Sequence, residues 1–181
     1  DLDKVDQKDK ESKWTAEIIK SGTLEDKISS LALYIKKSPR LCLKYIDMLL
    51  KMAKKKNRRQ TEACVVALKD IFLEDILTNK KLTTFYIALE NMKKEGISMS
   101  ELTDEKLLQI YTDDFIHRKY SELIEIINDI VINDPLQAMK KKYLSFILEM
   151  LSKKPEKEEK LLEILVNKLG DPEIEVINYV I

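Results

Sequence analysis

Apolar residues recur along this chain with the spacing of helices. Leu24, Ile28, Leu31, Ala32 and Ile35 form one stripe, and Leu41, Tyr45, Met48, Leu49 and Met52 form another. At 3.6 residues per turn, such positions share one face, which must be buried against a neighbour. Extended along the chain, the pattern predicts helices near 10–21, 23–37, 39–55, 58–77, 80–94, 104–132 with a candidate break near His117, 135–153, 156–169, and from 172 to the end. That is an all-α chain of about nine helices, with "EGISMSELT" at 95–103 as its longest loop.

The breaks between stripes carry cap chemistry. Ser38-Pro39, Asp134-Pro135 and Asp171-Pro172 each place proline after a good capping residue, and Pro155 is followed by Glu156, Glu158 and Glu159. Proline at the first helical position loses only a donor that would be unpaired anyway, and acids there favour the positive end of the helix dipole. In "SGTLEDK", Gly22 is suited to closing one helix in the left-handed region and Thr23 to capping the next. "LGDPE" repeats the device with Gly170, Asp171 and Pro172. A phosphate-binding loop would need several glycines to free its backbone donors, and Gly22 stands alone.

Helices of this number and order fit an α-solenoid of stacked antiparallel helix pairs, or a closed bundle. The stack is preferred because Asp134-Pro135 and Asp171-Pro172 lie 37 residues apart and enclose two helices, the length of one HEAT-like or armadillo-like repeat. The expected organisation is a polar lead-in at 1–9 and a single helical-repeat domain over 10–181. A start at Asp1 and an end on the apolar "EIEVINYVI" read as truncation from a longer chain.

Composition narrows the functions. The chain has 181 residues, 44% hydrophobic and 35% charged, enough for one soluble domain with its own core. With 32 basic and 32 acidic residues there is no overall field to attract nucleic acid or membrane, so electrostatic binding must be local. Cys42 and Cys64 sit within apolar helical patterns and the chain has one histidine. No disulfide framework, zinc site or cofactor is predicted, and a reducing compartment fits. No apolar run approaches the roughly 18 residues that span a bilayer, so no membrane partner is predicted.

Three clusters invite a functional reading. "KMAKKKNRR" gathers Lys51, Lys54, Lys55, Lys56, Arg58 and Arg59 at a junction between helices, a footprint for RNA phosphates or a nuclear-import signal, or else a solvated corner. It lacks interleaved aromatics, which argues against stacking on single-stranded bases. Lys140, Lys141 and Lys142 could extend such a patch, although consecutive residues on a helix point in different directions. In "DDFIHRKYSE", Asp113 and Asp114 precede His117 by four and three residues, a spacing that allows a shared proton or an ordinary surface pair. No nucleophile or further ligand lies nearby in sequence, and no catalytic residue is assigned. Trp14, the only tryptophan, opens the first stripe and is suited to anchoring it.

Longer phrases resemble a known family. "KWTAEIIKSGTLEDKISSLALYIKKSP", "MAKKKNRRQTEACVVALKDIFLEDIL", "NKKLTTF" and "KPEKEEKLLEILVNKLGDPEIEV" occur in the order found in the nucleolar complex-associated proteins, also called the CCAAT-binding factor or CCAAT/enhancer-binding protein zeta family. After "GDP" the family continues with a basic helix where this chain has "EIEVINYVI". The resemblance implies a nuclear, nucleolar helical-repeat segment without catalytic activity that serves large ribosomal subunit assembly and rRNA processing. It implies a second nucleolar complex protein as heterodimer partner, on pre-ribosomal particles. The expected function is therefore a scaffold that binds protein, with pre-ribosomal RNA as a candidate ligand. The alternatives are a protein-interaction module without RNA contact and a nuclear transcription-related adaptor.

Overall fold

The short stretch at Thr23 shows how local chemistry sets the elements. Thr23 Oγ1 accepts from the Asp26 backbone N–H at 3.3 Å, and Asp26 Oδ2 accepts from the Thr23 N–H at 3.1 Å, a reciprocal capping box. The Thr23 hydroxyl also donates to Asp26 Oδ2 at 2.7 Å, and this bond first and the one from the Thr23 N–H second hold the Asp26 carboxyl below its ordinary value. Helix α1, Leu24–Lys37, begins here, with Glu25 and Asp26 in its first turn and Lys36 and Lys37 in its last, both matched to the dipole. The computed structural model of the protein describes residues 21–38, 43–55, 57–96, 98 and 102–169.

Among the described residues there are seven α-helices, one π-helical turn and no strand. The predicted helix at 10–21 except for its last residue, Ser21, and the predicted helix from 172 onward fall outside them, as do Trp14, Pro39 and Cys42. The chain divides between Ile71 and Phe72 into two compact units.

In the first unit α1 is followed by α2, Leu43–Ala53, and α3, Arg58–Asp70, and each of the three packs on the other two. Their stripes meet in a core of Ile28, Leu31, Ile35, Ile46, Leu49, Leu50, Cys64, Val65 and Leu68. Each large aliphatic side chain buried in this way contributes about 1.5–3 kcal/mol, more than a cap does, so the stripes decide the packing and the caps decide where helices stop. Burial pushes the Cys64 thiol up to about 11, against a smaller opposing effect of Lys55.

The predicted helix 58–77 is α-helical only to Asp70. Ile71–Ile76 forms a π-helical turn, and the Leu77 N–H reaches five residues back to the Phe72 carbonyl at 2.8 Å. The second unit then holds α4, Phe85–Glu95; α5, Asp104–Asn133; α6, Gln137–Lys153; and α7, Glu158–Leu169. Each packs on the next, around Phe72, Tyr120, Leu123, Ile127, Tyr143, Leu144, Ile147, Met150 and Leu161. No helix among the described residues is long and apolar enough to cross a membrane.

Several boundaries differ from the pattern reading. α4 starts at Phe85 rather than 80, because Thr84 is its N-cap and Thr78 closes a side-chain turn on Lys80. α5 runs unbroken through His117. Asp134 does not cap a helix at Pro135: it closes α5, and its carboxylate accepts from the Leu136 N–H at 2.8 Å while α6 starts at Gln137. α7 starts at Glu158, after a turn in which Lys157 takes the left-handed conformation, φ 58°. Glu156 is therefore not a first-turn acid.

Candidate nucleic-acid interface

The basic run lies at the corner between α2 and α3. Asn57 caps α3, its side chain accepting from the Gln60 N–H at 3.1 Å. The first turn of α3 in turn satisfies the end of α2: Gln60 Nε2 donates to the Met52 carbonyl at 3.1 Å, and Thr61 Oγ1 donates to Ala53 at 2.8 Å and Lys55 at 3.0 Å. These side-chain bonds add to backbone bonds from the Lys55 N–H to the Met52 carbonyl and from the Asn57 N–H to the Lys55 carbonyl, and together they fix the turn's backbone.

From this fixed turn Lys51, Lys54, Lys55, Arg58 and Arg59 are exposed, and Lys56 lies outside the described residues. The lysines at the end of α2 complement its dipole. Arg59, 82% exposed, meets Glu25 of the first turn of α1 at 2.6 Å. The arrangement concentrates positive charge on a rigid corner with no aromatic side chain among the described residues from Lys51 to Gln60. It can hold phosphate oxygens by charge-assisted hydrogen bonds and has no ring on which to stack a base.

Lys140, Lys141 and Lys142 stand in the first two turns of α6, in the second unit, with Lys142 exposed and the other two half-buried. Of the helix-corner residues, Gly22 directly precedes the Thr23 cap, while Gly170, Asp171 and Pro172 lie outside the described residues. A left-handed glycine is seen at Gly96, φ 70°, where it closes α4.

The Asp-His stretch on α5 forms an ordinary surface pair and adds partners from outside the helix. Asp114 accepts from Arg118 Nε at 2.9 Å and from the Phe85 N–H at 3.2 Å, so it anchors the start of α4. His117 faces Glu156 instead, Nδ1 donating to Oε1 at 2.7 Å, while Glu156 Oε2 accepts from the Leu82 N–H at 2.8 Å. Glu156 is only 3% exposed. Its carboxylate ties the lead-in to α4 to the turn before α7, helped by exposed pairs of Lys153 with Glu74 at 2.8 Å and Lys81 with Glu158 at 3.7 Å. Burial, then the negative charge of Glu156, pushes the Tyr120 hydroxyl above its ordinary value.

A cavity of about 400 Å³ opens beside this carboxylate, lined by Lys81, Thr84, His117, Lys157, Lys160 and Glu163 among others. Both Glu156 oxygens already have partners, and among the described residues no group of three or more His, Cys, Asp or Glu could hold a metal ion. The geometry is that of a structural joint. Sequence reading missed Glu156 because its partners lie 39 and 74 residues away.

A second surface feature is apolar. Tyr86 of α4 and Leu108 and Tyr111 of α5 are 68%, 62% and 56% exposed, with Phe85, Ile87 and Leu107 also exposed. Tyr111 continues toward Phe115, their rings 6.5 Å apart.

Comparison with known proteins yields no matching family model. Curated relatives do match over most of the chain. An uncharacterised protein of Schizosaccharomyces pombe is 34% identical over 157 residues, 86% of this chain and 17% of its own length. CCAAT/enhancer-binding protein zeta of Homo sapiens is 30% identical over 172 residues, 92% of this chain and 16% of its own length. Ribosome biogenesis protein NOC1 of Chaetomium thermophilum is 32% identical over 174 residues, 89% of this chain and 17% of its own length. The chain spans about a sixth of the length of these relatives.

Proposed function

Because the chain belongs, over the stretch it spans, to the family of CCAAT/enhancer-binding protein zeta and ribosome biogenesis protein NOC1, we propose that it is a non-enzymatic scaffold segment in large ribosomal subunit assembly. Its place is the nucleolus, on pre-ribosomal particles and beside a second nucleolar complex protein as partner. The name of the Chaetomium relative supports the process. Sequential packing of α4 through α7 supports a solenoid-like helical-repeat stack in the second unit.

The scaffold touches pre-ribosomal RNA at the α2–α3 corner. The observation that carries this is the exposure of Lys51, Lys54, Lys55, Arg58 and Arg59 on a turn whose backbone is already hydrogen-bonded. Such a corner gains affinity by releasing counterions and needs no sequence readout. Glutamates at Lys54, Lys55, Lys56, Arg58 and Arg59 are expected to leave the circular dichroism spectrum unchanged and to reduce salt-sensitive RNA binding in a filter or anisotropy assay. A wild-type chain whose RNA affinity does not change with salt sinks the RNA assignment.

Exposed apolar side chains on α4 (Tyr86) and α5 (Leu108, Tyr111) favour a second reading, a protein-interaction module without RNA. A transcription-related adaptor is the version that the name of the human relative supports. Capture of the partner protein by this segment, with and without nuclease, separates the readings: nuclease-resistant capture by the charge-reversed chain supports the module.

A further inference from the structure

Resting on the reading of the α2–α3 corner as an RNA-phosphate site, we infer that this corner takes the backbone of double-stranded RNA and that Glu25 is its built-in competitor, holding Arg59 where a phosphate oxygen would. Three observations lead here.

The first concerns rings. A single strand has the lower charge density, and proteins that prefer it add aromatic side chains on which unpaired bases stack. The corner presents none among the described residues from Lys51 to Gln60. Tyr34 and Tyr45 of the same unit pair with each other, their centroids 5.6 Å apart, near the end of α1 and the start of α2, the end of α2 away from the corner. Charge density is then the discriminating quantity, and counterion release per neutralised phosphate is larger for a duplex than for a strand, with salt slopes of about 0.9 against about 0.7 per contact.

The second concerns rigidity. The bonds from Gln60 and Thr61 to the carbonyls of Met52, Ala53 and Lys55 fix the turn before any ligand arrives. A duplex offers phosphates on an equally fixed lattice, so binding orders side chains only.

The third is the Glu25 carboxylate itself. It contacts Arg59 Nη2 at 2.6 Å, and the two side chains are 56% and 82% exposed, so a phosphate can reach the guanidinium and displace the carboxylate. Glu25 does not become an uncompensated charge on release, because it stands in the first turn of α1, where the helix dipole favours an anion.

The test is fluorescence anisotropy of the whole chain with an RNA duplex of about 20 base pairs and an oligouridylate of about 20 nucleotides across a salt series. The duplex is expected to bind about tenfold more tightly at low salt, and Glu25→Gln to tighten it a further threefold or so. Adding Arg59→Ala to Glu25→Gln is expected to cancel that gain. Equal or tighter binding of the single strand overturns the duplex assignment, and an unchanged affinity in Glu25→Gln overturns the competitor. Absence of salt-sensitive binding to both RNAs overturns the underlying reading of the corner, a different outcome from either.

Discussion

Two helix junctions in this protein place charge to opposite ends. At the α2–α3 corner the charges of Lys51, Lys54, Lys55, Arg58 and Arg59 face outward, and neutral side chains, Asn57, Gln60 and Thr61, hold the backbone. At the turn before α7 the charge itself faces inward: Glu156 is buried and its two oxygens hold the Leu82 N–H and His117. A charge whose hydrogen bonds are internal and complete stabilises the fold and is lost to ligands. An exposed charge contributes little to stability and stays within reach of a ligand.

That contrast is broken most severely by Glu156→Ala, which strips the Leu82 N–H and His117 of their acceptor and is expected to cost about 3 kcal/mol in urea unfolding. Glu156→Gln keeps an acceptor and is expected to cost less. Next comes Thr61→Val, which removes the donor to the Ala53 and Lys55 carbonyls and should cost about 1 kcal/mol by the same measurement. If it costs nothing, the corner's backbone is not held as described. A double-mutant cycle on Glu25 and Arg59 should give a coupling of about 0.5 kcal/mol or less, since both are exposed. The last prediction, confined to alkaline pH, concerns the ionisation of Cys64. Its folded value of about 11 lies above the 9.0 of an ordinary thiol. The stability it contributes is therefore complete below pH 9 and is lost as pH rises through about 11. Cys64→Ala should flatten that alkaline decline relative to wild type.

The first of these predictions concerns a residue whose role the sequence concealed, and the reason is physical. Helix stripes repeat within a few residues, so Leu24–Lys37 can be located from its pattern and its Thr23 cap, and Gln137–Lys153 from its pattern alone. The partners of Glu156 are set by how α5 and the α4 lead-in pack, and nothing within one turn of Glu156 announces them. For Asp114 and His117, helical spacing left open a shared proton or an ordinary surface pair: the pair of Asp114 with Arg118, four residues on, is of the second kind, while the bond of Asp114 to the Phe85 N–H and the turn of His117 to Glu156 depend on packing that local pattern does not carry. The π turn at Ile71–Ile76 was illegible because "IFLEDI" has an apolar pattern that an α-helix accommodates equally well. The basic corner was legible as composition, and its rigid backbone was not, since that depends on Gln60 and Thr61 reaching the carbonyls that end α2.

The central claim is that the corner's charges bind RNA without supporting the fold. One sample of the chain carrying glutamate at Lys54, Lys55, Lys56, Arg58 and Arg59 tests it directly, with RNA affinity and urea midpoint measured together. The account predicts an affinity reduced by at least tenfold at low salt with the midpoint close to that of wild type. Unchanged affinity, or a midpoint that collapses along with it, contradicts the account.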